Sequence, residues 1–223
     1  MEKYISKKEK ASYGFAAVGS YMVAGITQSY LMYFFTDILI IPSAFVMMLM
    51  IVARVWDALN DPMMGVIVDR TSTKYGKMRP YVLIGSFLML VTTIVLFMPL
   101  TGAPTMFKMI FAAVSYIIFG MAYTLTDVPA MGLMSVATPN SDERASLLSF
   151  YVTVGSVGSL LPVGLLTIFQ SFIPEKYVYF AMSIFVGIIT SAAYLTLFKN
   201  SKERFSTHTE KIAVRDMIKA AGK

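Results

Sequence analysis

The chain has no cysteine, a single histidine, and charged side chains at only 14% of its 223 positions. Without cysteine, disulfides and thiolate metal sites are excluded, and the redox compartment stays undetermined. The one histidine, His208, lies in a polar C-terminal stretch, where a solvated role is expected rather than a catalytic one. The scarcity of charge is the most informative of these shortages. A water-soluble domain carries about 25% charged residues, whereas this chain is 57% hydrophobic with a mean hydropathy of +0.66.

In place of charge stand six apolar blocks, at about 11–36, 43–67, 80–100, 106–135, 146–172 and 177–198. Each approaches or exceeds the roughly 20 residues that cross a bilayer, and each is too long for a tilted membrane strand. Backbone in hydrocarbon must satisfy its own hydrogen bonds, so the expected fold is all-α, with six transmembrane helices. Residues 1–198 read as one six-helix bundle. Residues 199–223 read as a cytoplasmic basic tail or the start of a connector, with Ile212, Val214, Met217 and Ile218 roughly along one side of a short helix. The first apolar run is long and lacks a clear small-x-small cleavage site, so it is expected to be a retained helix and not a signal peptide.

The net charge of +6 could suggest nucleic-acid binding, but its distribution points elsewhere. Sixteen of the lysines and arginines fall before the first block, between blocks two and three, after block four, or beyond residue 198. The alternating joints hold two, Lys108 and Lys176, and Arg54 lies inside a block. By the positive-inside rule both termini and the 68–79 loop face the cytoplasm. The basic residues orient the chain, and no nucleic-acid partner is expected.

Gly14, Gly19 and Gly25 in the first block, and Gly155, Gly158 and Gly164 in the fifth, recur at near-helical spacing and are expected to permit close helix contact. The abundant Met, Phe and Tyr are read as core or lipid-facing residues, with no cofactor assigned to them.

Four ionisable residues lie well inside apolar blocks: Arg54, Asp57, Asp61 and Asp127. Each costs about 2.5–3.5 kcal/mol at a helix centre, and such residues mark ion or substrate pathways. At about 100° per residue, Arg54, Asp57, Asn60 and Asp61 share an arc of roughly 120°, with Trp56 and Met64 expected to point elsewhere. This polar face must look into the bundle or a cavity. One arginine against three aspartates leaves two carboxylates in excess. Either one carboxyl keeps a proton, or a metal cation sits between them. The available ligands are all oxygens, which suits a hard ion or a proton. Pro62 and Pro129 leave the carbonyls of Ala58 and Leu125 without their helical donors, adding oxygen ligands nearby. The bland alternative is an ion-pair network that only fixes helix packing.

The joint "GVIVDRTSTKYGKMRP" (65–80) is the second constellation. Gly65 is expected to allow close packing where helix two ends, and Gly76 to make the turn. Asp69, Arg70, Lys77 and Arg79 are expected to form a charged latch between helix ends.

Four motifs, "SYGF" (12–15), "VARVWDALNDPMMGVIVDR" (52–70), "GKMRPYVLIG" (76–85) and "YIIFGMAYTLTDVP" (116–129), carry a family likeness. Together they resemble the glycoside–pentoside–hexuronide:cation symporters of the melibiose permease type, in the major facilitator superfamily. The resemblance implies a six-helix bundle with a 3+3 repeat, forming the N-terminal half of a twelve-helix transporter. It implies cation binding (Na⁺, with H⁺ or Li⁺ as alternatives) at Asp57, Asn60, Asp61 and Thr124, the metal ligands for Na⁺ being Asp57 and Asp61. It implies sugar contact at Tyr123 and Asp127, no catalytic residue and no resident cofactor. The implied location is a bacterial inner membrane. The implied partners are a glycoside or related solute, the lipid bilayer, and a second six-helix bundle supplied by a missing half or a second copy.

Two departures bear on the solute. No acidic or basic residue occurs between Lys10 and Asp37, where the family carries an acidic sugar ligand, and Val152 stands at the position of a helix-five arginine. The alternatives are a transport-inactive, partner-associating six-helix protein and a Na⁺-dependent lysolipid carrier. An intramembrane aspartyl protease is disfavoured. Its carboxylates come from different helices, whereas the close pair here shares one.

Overall fold

The computed structural model describes residues 4–205, and these form six long helices. They are α1 (Lys7–Tyr33), α2 (Ser43–Arg70), α3 (Arg79–Leu96), α4 (Thr105–Ala137), α5 (Ser141–Gln170) and α6 (Glu175–Asn200). The amphipathic stretch around Ile212–Ile218 and His208 lie outside the described residues.

Local chemistry sets the helix starts. Ser6 caps α1 by accepting from the Glu9 N–H at 3.1 Å. Asn140 caps α5, accepting from the Asp142 and Glu143 N–H groups, and these two acids also complement the positive helix end. Pro42, Pro104 and Pro174 immediately precede α2, α4 and α6, and Pro80 sits in the first turn of α3. Inside the helices, Pro62 and Pro129 are accommodated without a break.

Five helices, α2 to α6, are long and apolar enough to cross a membrane. The sixth, α1, spans 27 residues, about 40 Å at 1.5 Å per residue. It is rich in glycine, serine and tyrosine because it sits inside the bundle, against α5 and α6. The chain is an all-α integral membrane protein.

The helix pairings obey a repeat. α1 packs on α5 and α6, α4 packs on α2 and α3, and α3 packs on α6. Exchanging α1 with α4, α2 with α5 and α3 with α6 maps these pairings onto themselves, as a 3+3 repeat requires, while the smaller α5–α6 and α4–α5 contacts have no counterpart of like size. α2 and α5, equivalent under that exchange, bury the smallest shares of their apolar windows. The repeat is not symmetric in tightness. α5 lies close along α1, whereas α2 stands off from α4, and a cavity opens beside that seam.

Glycine explains the tight side. A Cβ on Gly25 would lie 2.6 Å from the Ser159 carbonyl oxygen, and one on Gly158 would lie 2.7 Å from that of Val18. Gly14 and Gly155 likewise face α5 and α1 side chains, while Gly19 faces Thr190 and Ala193 of α6. Gly164 and Gly65 depart from expectation. A Cβ on either would meet nothing within 4 Å, because each points away from its neighbouring helices.

The core has two apolar clusters. One gathers Met22, Phe34, Phe97, Phe119 and Met182, and the other Tyr13, Ala16, Leu133, Tyr151 and Tyr194. Between them along α1 and α4 lie Ser20 and Asp127.

Two further features escape a linear reading. After Tyr33 the chain widens into a π-helical turn, Phe34–Ile38, with the Leu39 N–H bonded to the Phe34 carbonyl at 2.9 Å. Lys108, expected as a joint charge, is instead buried on α4, and its Nζ donates to the Leu39 carbonyl at 2.7 Å. It satisfies a carbonyl that the end of this turn leaves unpaired.

Candidate functional site: a polar cavity between α1, α2 and α4

The polar face of α2 meets α4 across a cavity of about 660 Å³, within the usual range for small-molecule sites. Asp57, Asp61, Thr124, Tyr123 and Asp127 all line it, as does Arg54. Arg54 Nη1 stands 3.9 Å from Asp57 Oδ2, a loose contact, with the arginine side chain 71% exposed and the aspartate 33%. The Thr124 hydroxyl donates to Asp61 Oδ1 at 2.8 Å, tying α4 to α2. Gly120 lies one helical turn before Thr124, and a Cβ there would come within 3.1 Å of Asp57 Oδ1. The missing side chain leaves room for that carboxylate against α4.

Asn60 is buried, and its Nδ2 has no hydrogen-bond partner among the described residues. It is not among the residues lining the cavity. Trp56, expected to point away, forms part of the cavity wall. It is only about 40° from Asn60 around the helix, and its large ring reaches the opening. Met64 also departs from expectation. Ten residues at about 100° return it to the arc of Arg54 and Asp57, and it is buried.

A cation would find carboxylate oxygens from Asp57 and Asp61 and the Thr124 hydroxyl oxygen on one cavity surface. No group of three or more His, Cys, Asp or Glu converges among the described residues. Two carboxylates with neutral oxygens suit a hard monovalent ion, whereas a transition metal would want nitrogen or sulfur. The residues fit that ion.

Asp127 has different surroundings. Its Oδ1 accepts from Ser20 Oγ of α1 at 2.7 Å, from Tyr194 Oη of α6 at 3.2 Å, and from Tyr151 Oη of α5 at 3.4 Å. Tyr123 Oη lies 3.1 Å from Ser20 Oγ. A second cavity of about 390 Å³ adjoins the first, and both are lined by Asp127, Tyr123 and Gln28. Ser20, Tyr151 and Tyr194 were not singled out from the sequence. The available signal was a set of hydroxyl side chains deep in apolar spans, and it is weak because such groups also bond to their own helix backbone.

The other residues of interest lie in the 71–78 loop and at the helix ends that flank it. Gly76 has φ +104°, a backbone shape suited to glycine. Asp69 and Arg70 are exposed at the end of α2 and form no ion pair among the described residues. The backbone N–H groups of Lys77, Met78 and Arg79 instead converge on the Glu203 carboxylate, at 2.8, 2.8 and 3.0 Å. Arg79 Nη2 donates to the Phe198 carbonyl at 2.7 Å, with its guanidinium over the Phe198 ring.

Residues 12–223 match the family model described as MFS/sugar transport protein. The chain belongs to this family. It is 33% identical over 98% of its length to the Uncharacterized symporter YjmB of Bacillus subtilis (strain 168), covering 49% of that protein. It is 29% identical over 96% of its length to the Inner membrane symporter YicJ of Escherichia coli (strain K12), covering 47% of it. It is 28% identical over 95% of its length to the Isoprimeverose transporter of Lactiplantibacillus pentosus, covering 46% of it. The chain thus spans about half the length of the curated relatives it matches. These relatives, named as symporters and transporters, place it in the glycoside–pentoside–hexuronide group.

Proposed function

We propose that this chain is the N-terminal bundle of a cation-coupled symporter for glycosides, working by alternating access against a second six-helix bundle in a bacterial inner membrane. Na⁺ is the coupling ion, with H⁺ and Li⁺ as the alternatives. The observation that carries this reading is the Thr124–Asp61 bond, which ties α4 to α2 in the wall of a cavity also lined by Asp57, Tyr123 and Asp127. Asp57 and Asp61 bind the cation, with Thr124 as a neutral ligand. Asn60 supports them from behind, since its amide is buried just off the cavity wall. Tyr123 and Asp127 bind solute hydroxyls, and Arg54 tethers Asp57 when the cation is absent. Asp69, Arg70, Lys77 and Arg79, in and beside the loop between α2 and α3, change partners as the bundles rock. The distribution of basic residues supports cytoplasmic termini.

The coupling is reciprocal. A cation neutralises the surplus charge of α2 beside the solute cavity, so each ligand strengthens the other by about 1–3 kcal/mol, the usual size of such linkage.

The test uses the only tryptophan of the chain, Trp56, which lies in the cavity wall. Purified chain in lipid nanodiscs is titrated with NaCl against choline chloride while tryptophan emission is followed. A saturable Na⁺ response that disappears in Asp57→Ala and in Asp61→Ala is expected. An undiminished response in both variants removes the cation assignment. Reconstitution in liposomes, with and without a co-expressed second bundle from a relative, tests the need for a partner. Glycoside uptake is expected only with the partner.

A further inference from the structure

Asp127 sits between the two apolar clusters, and no basic side chain pairs with it among the described residues. Its stabilisation comes from hydroxyl groups alone. Three of them, from α1, α5 and α6, converge on the same oxygen, Oδ1. Oδ2 receives no hydrogen bond from any described residue. A carboxylate oxygen has two lone pairs, so Ser20 and Tyr194 fill Oδ1, Tyr151 at 3.4 Å is the weakest of the three donors, and the capacity of Oδ2 is left.

The directions of these bonds carry more information than their lengths. With Asp127 ionised, the single proton of Ser20 is committed to it. In the adjoining contact with Tyr123, therefore, Tyr123 must be the donor and Ser20 the acceptor. The Tyr123 proton is then committed as well, and its oxygen can only accept. Asp127 Oδ2 and Tyr123 Oη then face both cavities as acceptors, and the donors of the wall that the two cavities share are those of the Gln28 amide.

We propose that Ser20, Tyr151 and Tyr194 are positioning residues that polarise this corner, so that the site selects solutes presenting two adjacent hydroxyl donors. The proposal rests on the solute role given above to Asp127 and Tyr123. It restricts the solute class to polyhydroxylated molecules with a free vicinal pair, and it excludes those in which either hydroxyl is methylated or absent. Tyr194 is the diagnostic member. It is fully buried on α6 and lines neither cavity, so it reaches the solute only through Asp127.

Two measurements on the whole chain in nanodiscs test this. The first is infrared spectroscopy of the carboxylate stretch assigned to Asp127 by its loss in Asp127→Asn. Removal of one oxygen in Tyr194→Phe is expected to shift that band, and an unmoved band overturns the clamp whether or not solute binds. The second is titration with methyl glycosides of xylose, glucose and galactose, read by Trp56 emission. Half-saturation is expected to rise about tenfold in Tyr194→Phe, the scale of one lost hydrogen bond to a charged group. The half-saturation for Na⁺, measured without glycoside, is expected to stay within about twofold, as the hydroxyl removed bonds Asp127 and none of Asp57, Asp61 and Thr124. A parallel loss of Na⁺ affinity reveals general loosening of the bundle and overturns the positioning role, as does unchanged glycoside affinity. Failure of the wild-type chain to respond to any glycoside counts against the solute reading itself. The band shift would then mark the clamp as a structural bond only, overturning its role in selectivity.

Discussion

Gly120 and Thr124 show how single atoms on α4 set the fate of carboxylates on α2. The Asp57 carboxylate lies where a side chain at position 120 would begin, and Asp61 takes the only proton that Thr124 can offer. Gly120→Val is therefore expected to push Asp57 away from α4 and raise the Na⁺ half-saturation of the Trp56 response about tenfold or more, the scale of one displaced charged ligand. The helix itself should tolerate the change, since the contact is with a side chain and not with backbone. Thr124 gives a finer comparison. Thr124→Ser keeps the hydroxyl and should retain Na⁺ affinity, whereas Thr124→Val keeps the shape and should lose about tenfold. Equal titrations for the two variants would show that the hydroxyl takes no part.

At the scale of helices, glycines divide by what lies opposite them. Gly25→Ala and Gly158→Ala drive a methyl group into carbonyl oxygens on the facing helix. Because backbone cannot swing aside as a side chain can, each is expected to destabilise the α1–α5 contact by about 1–3 kcal/mol, as overpacking does. Gly164→Ala and Gly65→Ala meet open space and should be neutral or stabilise their helices by up to about 1 kcal/mol. Thermal unfolding in detergent, followed by circular dichroism, separates the two pairs. All four glycines look alike in the sequence, and this marks the limit of a linear reading. Apolar runs and their polar joints made six helices visible, because membrane thickness alone sets their length. The ion-bearing face of α2 was visible too, since a charge in hydrocarbon stands out against its neighbours. Rotation of each helix about its axis was not visible. It depends on which partner lies opposite, and that is why Gly164 and Lys108 departed from expectation, whereas the positions of Trp56 and Met64 follow from the 100° step itself. The hydroxyl clamp on Asp127 joins residues 20, 127, 151 and 194, a long-range convergence with no periodic trace.

At the scale of the whole molecule, the short segment after α6 binds the bundle together at one end. Glu203 gathers the N–H groups at the start of α3, while the Arg204 and Phe205 N–H groups bond the Val136 carbonyl at the end of α4. Arg204 also makes a two-pronged pair with Glu9 of α1, at 2.7 and 3.0 Å. Three helices from both halves of the repeat are thus held by the side chains and backbone of residues 203–205, none of which lines the cavity. Glu9 is 1% exposed, so its charge depends on that guanidinium. Arg204→Met should leave the carboxylate buried and unpaired, at about 3–5 kcal/mol of stability, the usual result of removing one partner. Glu9→Gln combined with Arg204→Met removes both charges and should recover most of that loss. A double-mutant cycle on thermal unfolding measures the difference directly. If the double variant is as unstable as Arg204→Met alone, the cost lies in the packing of the arginine stem and not in its charge. The Na⁺ response of Trp56 provides the contrast. The strap is remote from Asp57 and Asp61, so variants still folded at the assay temperature should titrate with Na⁺ as the unmodified chain does, and a strap variant with altered Na⁺ affinity would show that this end of the bundle is coupled to the ion site.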